Sequence, residues 1–590
     1  MKHSLLFKTF VLLFVIYLCM PSCAKYEFLD KPPGTDVTED TVFNTVKDFE
    51  KFLAGTYMYG MHSYYPYHNT NSSVNPNPTM CMTAPITDEA EMSHTWHTAQ
   101  IWNSGAIVKN NIINDEDKRF NLRWKAIRRC NIIIERMPDT DFTTAEKNTF
   151  TGEALFIRAL NNFEMLKRYG GMPIVDKRLT ETDDWNIPRV TFADYVDYIV
   201  NDCSEAATLL DGVTYADGQR GRVNKAACLA LKAKVLLYAA SPLFNTDKPY
   251  ISSSVDNLVC YGNYDKERWR LAAEAAEDAL EAAAELGFAI LDTDSPETDY
   301  RDMWQVFDNK EVILAEKFLN KTGNWSHPWA LIIPTGMGMS TWGNAVCVPH
   351  NHIRKYEKMD GTPQTWNEPG VRGSDLMEKY AELDPRFRQT VSYNGSAWNN
   401  QYQAVQYYQG GTVPTPEVNI TGALMHKIIP YQMASSGGEY QMHANGILFR
   451  VAELYLNYAE AMNEYSGPTK EVYDAIHVIR DRAGMPDFPA GLTQPQMRDR
   501  IKNERDIELC YEDHRMWDIR RWMDAEKDGV MQGAFYKVTI WNMDGNDGLN
   551  QKCDYEISQY ETRTFHRKMY LHPIQENEVN KGYMVQNPGW

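Results

Sequence analysis

Residues 223–240 constrain this chain most, because wound as a helix they are apolar on almost every side. Only Lys225, Lys232 and Lys234 interrupt the surface, and Ala226, Ala227, Ala230, Ala233 and Ala240 let neighbouring backbones come close. A helix with no polar face has to be enclosed by other helices. The segment from Val451 shows the complementary pattern. Val451, Leu454, Tyr455, Tyr458, Ala459 and Met462 follow an i, i+3, i+4, i+7, i+8, i+11 spacing, with Glu453, Asn457, Glu460 and Glu464 on the opposite stripe. That spacing predicts one face for a core and one for water.

The same reasoning predicts helices over 42–59, 121–137, 145–169, 191–210, 265–286, 448–465, 469–483 and 494–525. Gly170-Gly171 and Pro173 are stop signals, as is Ser241-Pro242, and Thr191 is an N-cap. Residues 310–318 fit a strand or a short helix, and 535–541 fits a strand. Four helix pairs are similar to tetratricopeptide repeats: 121–137 with 145–169, 191–210 with 223–240, 265–286 with a degenerate partner near 300–307, and 448–465 with 469–483. The ~34-residue beat of a regular array is not kept. The expected fold class is mostly α: an α-solenoid of tetratricopeptide-like helix pairs with large irregular inserts and a few short β-strands.

Composition narrows the function. The 590 residues carry a formal net charge of −19, a poor basis for holding phosphates, so a general nucleic-acid binder is excluded. One apolar run of ten residues, Phe10–Cys19, follows a basic start with Lys2 and Lys8. It is too short for a membrane-spanning helix and suits a signal peptide over 1–22. Met20-Pro21-Ser22-Cys23 then resembles the lipobox of bacterial lipoproteins, which implies an acylated Cys23 as membrane anchor. No CxxC or other metal-ligand spacing occurs among the cysteines, and Cys130, Cys203, Cys228 and Cys510 fall in helical patterns as buried thiols.

Several strings occur in order along the chain. After Cys23 comes Phe28-Leu29-Asp30-Lys31-Pro32-Pro33, then Gly152-Glu153-Ala154-Leu155 running to Arg168-Tyr169-Gly170-Gly171. Arg222-Val223-Asn224-Lys225 follows, then Phe449-Arg450-Val451-Ala452-Glu453-Leu454 and Ile479-Arg480-Asp481-Arg482. Glu504-Arg505-Asp506-Ile507-Glu508-Leu509, Arg515-Met516-Trp517-Asp518 and the terminal Asn587-Pro588-Gly589-Trp590 complete the set. Together they resemble the SusD/RagB family of Bacteroidota surface lipoproteins across essentially the whole chain. The resemblance implies a SusD-like N-terminal region over 23–309 and a RagB/SusD C-terminal region over 310–590. It also implies a non-catalytic protein of the outer membrane that binds oligosaccharides, or peptides in some branches. A SusC-like TonB-dependent transporter would be its partner. Glu153, Arg158, Glu453, Glu504 and Arg505 are expected as inter-helix caps and ion pairs, and Arg515, Trp517, Arg520, Arg521 and Trp522 as a packed stack.

The aromatic content supports a glycan surface independently. A pyranose offers an apolar C–H face inside a rim of hydroxyls, and Trp and Tyr offer flat apolar area with a polar tip. Such residues belong on loops beside a rigid scaffold. One irregular insert holds Tyr57, Tyr59, Tyr64, Tyr65, Tyr67, Trp96 and Trp102, with Asn103 and the acids Asp88, Glu89 and Glu91 nearby. The other, over 320–445, holds Trp325, Trp329, Trp342, Trp366 and Trp398, with Asn324, His327 and Tyr402. In the resembled family, ligand aromatics come from the segment before the first repeat and the insert after the third. This implies Trp96, Trp102, Trp325, Trp329, Trp342 and Tyr65 as glycan-binding residues, with no catalytic residue, metal or cofactor.

Catalytic motifs are missing from the sequence. Gly338-Met339-Ser340-Thr341-Trp342-Gly343 has one residue too many for G-x-S-x-G, and neither G-x-x-x-x-G-K-[ST] nor H-E-x-x-H occurs. His94 with His97, and His350 with His352 in an expected strand, are weak metal pairs. Asp292, Asp294 and Glu297 lack the glycine of a calcium loop. A carboxylate pair for a surface glycoside hydrolase stays open in so acidic a chain.

Overall fold

The computed structural model of the chain describes residues 39–62, 83–93, 98–110, 117, 119–216, 219, 221–318, 345–399, 402–411, 418–429, 444–543 and 553–590. Its long helices are α1 (Val46–Gly60), α2 (Phe120–Arg136), α3 (Thr144–Tyr169), α4 (Phe192–Leu209), α5 (Lys225–Ala240), α6 (Glu267–Glu285), α7 (Val451–Ser466), α8 (Lys470–Arg482) and α9 (Gln494–Glu508). They stack in chain order, each against the next, from α1 through to α8, with α9 also against α7. The fold is a mostly helical solenoid with a few short strands.

Local chemistry sets the helix starts. Thr143 and Glu146 form a reciprocal capping box at α3, Thr191 accepts from the Asp194 amide at α4, and Asn224 accepts from the Ala227 amide at α5. Each satisfies an amide that the first helical turn leaves unpaired. α5 is enclosed as its pattern requires. Ala226, Ala227, Ala230 and Ala233 are fully buried, and Leu237 and Ala240 meet Trp269, Ala272 and Ala273 of α6 and Ala461 of α7 in one cluster. Gly60 permits another close approach, since a Cβ there would lie 2.3 Å from Ile157 of α3.

Two expectations need correction. The partner of α6 is not the segment near 300–307. That segment is the short helix Asp299–Gln305, which packs on Pro385–Thr390 and on the strand Ala444–Arg450, while α6 packs on α7. The solenoid therefore joins α6 to α7 directly, and the described residues between them form a region outside the helix stack. Nor is 494–525 one helix. α9 ends at Glu508, and the chain turns through Tyr511 (φ 63°) and Asp513 (φ 60°) before the helix Arg515–Arg521 begins. Tertiary bonds hold that break: Lys427 donates to the carbonyls of Glu508 and Cys510, and the Tyr511 hydroxyl donates to the Glu89 carbonyl.

The region outside the stack has its own apolar core, in which Tyr356, Tyr380, Phe387, Trp398 and Ile429 are buried. Between this core and the solenoid lies a buried lattice of charges. Arg450 binds Glu311, Glu508 and Glu512, Arg482 binds Glu508 and Glu311, and Arg386 binds Asp384, Glu504 and Glu508. Burial alone would raise the pKa of Glu508, but Arg482, Arg450 and Arg386 outweigh it and hold the carboxyl well below its usual range. Glu153 binds Arg222, Arg158 binds Asp202, Lys234 reaches Glu453, and Arg505 binds Asp518, so the expected inter-helix pairs are present.

Candidate functional site

The short strands of the chain are clamps for loop ends. β1 (Glu91–Met92) pairs antiparallel with β3 (Val346–Cys347). β2 (Val312–Phe318) pairs with β7 (Ala444–Arg450), and Phe318 faces Ala444 at the far end of that ladder. β4 (Arg372–Gly373) pairs with β9 (Cys553–Arg563), and β8 (Gly533–Asn542) joins it to form a separate sheet. β5 (Val391–Ser392) and β6 (Leu424–Met425) extend the β1–β3 sheet. Beyond β1, the Ser93 amide donates to the Ala345 carbonyl at 3.1 Å and the Ala345 amide to the Ser93 hydroxyl at 2.9 Å. His62, the last residue of its segment, has its Nδ1 3.4 Å from the Glu316 carboxylate on β2. Of the residues that flank 63–82, 94–97, 319–344 and 430–443, Ser93 bonds Ala345, Phe318 pairs with Ala444, and His62 lies beside Glu316 of β2.

Buried ion pairs fix these stems. Arg563 binds the Glu91 carboxylate at 2.6 Å and donates to the Thr87 carbonyl at 2.6 Å. Asp88 takes Arg515 at 2.9 Å and Lys355 at 2.5 Å. Burial would raise the Asp88 pKa, but the two cations outweigh it and keep the carboxyl ionised. At His62 burial dominates, Arg119 adds to it against Glu316, and the imidazole is pushed down to about 4. A folded pKa below the ordinary 6.5 means that protonation opposes folding, so this stability is complete above pH 6.5 and is lost as pH falls toward 4. His62→Gln escapes that loss. Its stability relative to the parent should rise by about 3 kcal/mol between pH 7 and pH 4, at 1.36 kcal/mol per unit. Unfolding midpoints of both proteins at the two pH values measure it, and a constant gap contradicts it.

The expected ligand residues divide sharply. Tyr65, Trp96, Trp325, Trp329 and Trp342 lie outside the described residues, as do Cys23, His94 and His97. Trp102 is described, and its assignment to a ligand surface is corrected. It is 2% exposed, on the helix Ala99–Asn103, with its ring edge-on to His572 at 5.0 Å and the Arg520 guanidinium 5.9 Å from its centre. Arg520 also stands 5.4 Å from the Trp517 ring, which Lys167 and Arg168 approach at 4.3 and 4.5 Å. Trp102 belongs to the structural stack expected around Trp517. Its burial is foreshadowed by Ala99, Trp102 and Asn103, which share one helical face.

Other loop residues are structural too. Asp88, Glu89, Glu91 and Asn103 are buried, and Asn103 donates to the Pro85 carbonyl. Trp398 is 1% exposed against His426, and Tyr57 donates to Glu153 within the solenoid. His350 and His352 lie in the buried helix His350–Ile353, not in a strand. Glu297 is engaged by Arg388, and the Asp292 carboxylate caps the Asp294 amide. The stem residues His62, Ser93, Glu316 and Ala345 carry no sequence signal. Each is defined by a partner more than 200 residues away.

The fold defines a class: a helical solenoid with a second apolar core and short antiparallel strands that hold loop ends together. Residues 310–590 match the model of the SusD family, and residues 27–237 match a model described as starch-binding associating with outer membrane. A SusD-like protein of Formosa agariphila is 23% identical and aligns over 97% of this chain and 96% of its own. A second from the same organism is 24% identical over 74% of this chain and 78% of its own. A solved SusD-like protein of Bacteroides fragilis superposes with a TM-score of 0.76 at 23% identity, over 95% of this chain and 100% of that one. A laminarin-binding SusD-like protein superposes with a TM-score of 0.60 at 18% identity, over 93% and 100%. The chain belongs to the SusD family.

Proposed function

We propose that this protein is a lipid-anchored outer-membrane binder of oligosaccharides that hands them, uncut, to a TonB-dependent transporter. The observation that carries the reading is the pairing of stems, Ser93 with Ala345, Phe318 with Ala444, and His62 beside Glu316. Along the chain these residues adjoin the segments that bear Tyr65, Trp96, Trp325, Trp329 and Trp342. The matched model's description speaks of starch binding and of the outer membrane, and a structural neighbour is described as laminarin-binding. Among the described residues no helix is long and apolar enough to cross a membrane.

Handing on a ligand requires release, so affinity should lie between ~mM and ~µM, about −4 to −8 kcal/mol. Replacing one central indole should remove about 2 kcal/mol, roughly thirty-fold in affinity. Calorimetry of Trp96→Ala and Trp325→Ala against laminarin and starch oligosaccharides tests the site. Unchanged affinity in both variants would remove it.

A further inference from the structure

A recess lies away from these stems. It encloses about 370 Å³ between the first turns of α2, the segment 173–187 and the C-terminal residues Glu578 to Met584. None of its lining residues flanks a stem. That volume and an apolar wall with a few polar groups are typical of small-ligand sites.

Trp185 singles the recess out. It is 57% exposed, yet its indole is held in place, with Nε1 donating to the Thr180 carbonyl at 2.9 Å. Asp183 closes the turn that carries it, accepting from the Thr180 amide and hydroxyl, each at 2.7 Å, and from Lys177 at 2.6 Å. Arg128 of α2 donates to the Leu179 carbonyl at 2.7 Å and so ties this turn to the opposite wall. Across the recess stand Trp124, edge-on to Phe120, and Tyr583, whose hydroxyl donates to Glu578 at 2.6 Å. Asn121 and Lys125 are exposed at its rim on α2. Trp185 is thus anchored through its Nε1 while more than half of its surface stays open to water on the wall of the recess. Flat apolar rings inside a rim of amide, ammonium and carboxylate groups match the C–H face and hydroxyl edge of a pyranose.

We propose that this recess is a second oligosaccharide-binding site, with a pyranose stacked on Trp185 and its hydroxyls reaching Asn121, Lys125 and Glu578. The proposal rests on the oligosaccharide reading above. The full chain is first applied to an immobilised-glycan array that includes laminarin and starch oligosaccharides, and the strongest binder is titrated by calorimetry. Two sites per chain are expected. Trp185→Ala should weaken one of them at least tenfold, leave the other and the unfolding midpoint unchanged, and be rescued by Trp185→Phe. Trp96→Ala with Trp325→Ala should do the reverse. A single site that Trp185→Ala leaves intact overturns this proposal while the oligosaccharide reading stands. Binding to no glycan on the array overturns both.

Discussion

Replacing Arg450 by alanine should lower the unfolding free energy by about 3–5 kcal/mol. The guanidinium is 1% exposed and every nitrogen is used. Nη1 bonds Glu311 at 2.8 Å and Glu508 at 2.7 Å, Nε bonds Glu512 at 2.8 Å, and Nη2 donates to the Glu508 carbonyl at 2.8 Å. Alanine leaves three buried carboxylates short of a cation. Arg482, Arg386 and Lys427 already serve the same acids and do not move into its place without abandoning their own bonds. The position also couples distant pieces of chain. Arg450 ends β7 immediately before α7, Glu311 precedes β2, and Glu508 ends α9. Lysine restores the charge but not the fork of donors, so Arg450→Lys should recover only part of the loss. Urea unfolding of the three proteins measures this, and a change below about 1 kcal/mol for alanine contradicts it.

Trp102→Ala should cost about 3–5 kcal/mol of stability and leave oligosaccharide affinity unchanged in the folded protein. The ring is sealed among His572, Arg520 and the Trp517 stack, so its removal opens a cavity and strips a cation from its aromatic neighbour. Trp96→Ala should show the opposite signature, with affinity lost and stability kept. Thermal unfolding and calorimetry on the same two preparations separate the roles. A stable Trp102→Ala protein that no longer binds would return Trp102 to the ligand surface.

The helices show what can be read from residues close together. α3 and α5 follow their apolar spacing to within two residues, and their caps lie in Thr143-x-x-Glu146 and at Asn224. These interactions close within one or two turns, so the local string contains all the partners. The inter-helix pairs of Glu153, Arg158 and Glu504 are legible in kind, because a charge on a buried helical face needs a counter-charge. The partners themselves are not. The two loop indoles Trp96 and Trp102 look alike in sequence, six residues apart, yet Trp102 lies on a short helix whose buried face meets residues some 470 positions later.

Periodicity, capping and chain punctuation by themselves determined that this protein is a stack of helices with aromatic-rich inserts, since those properties act over a few turns. Tertiary structure alone decided that α6 meets α7, that 494–525 breaks at Tyr511, and that Ser93 meets Ala345. Each of these depends on bringing together groups far apart along the chain. The entropy lost in doing so is repaid only when buried area and a complete set of hydrogen bonds form at once, and no short string of residues records that sum.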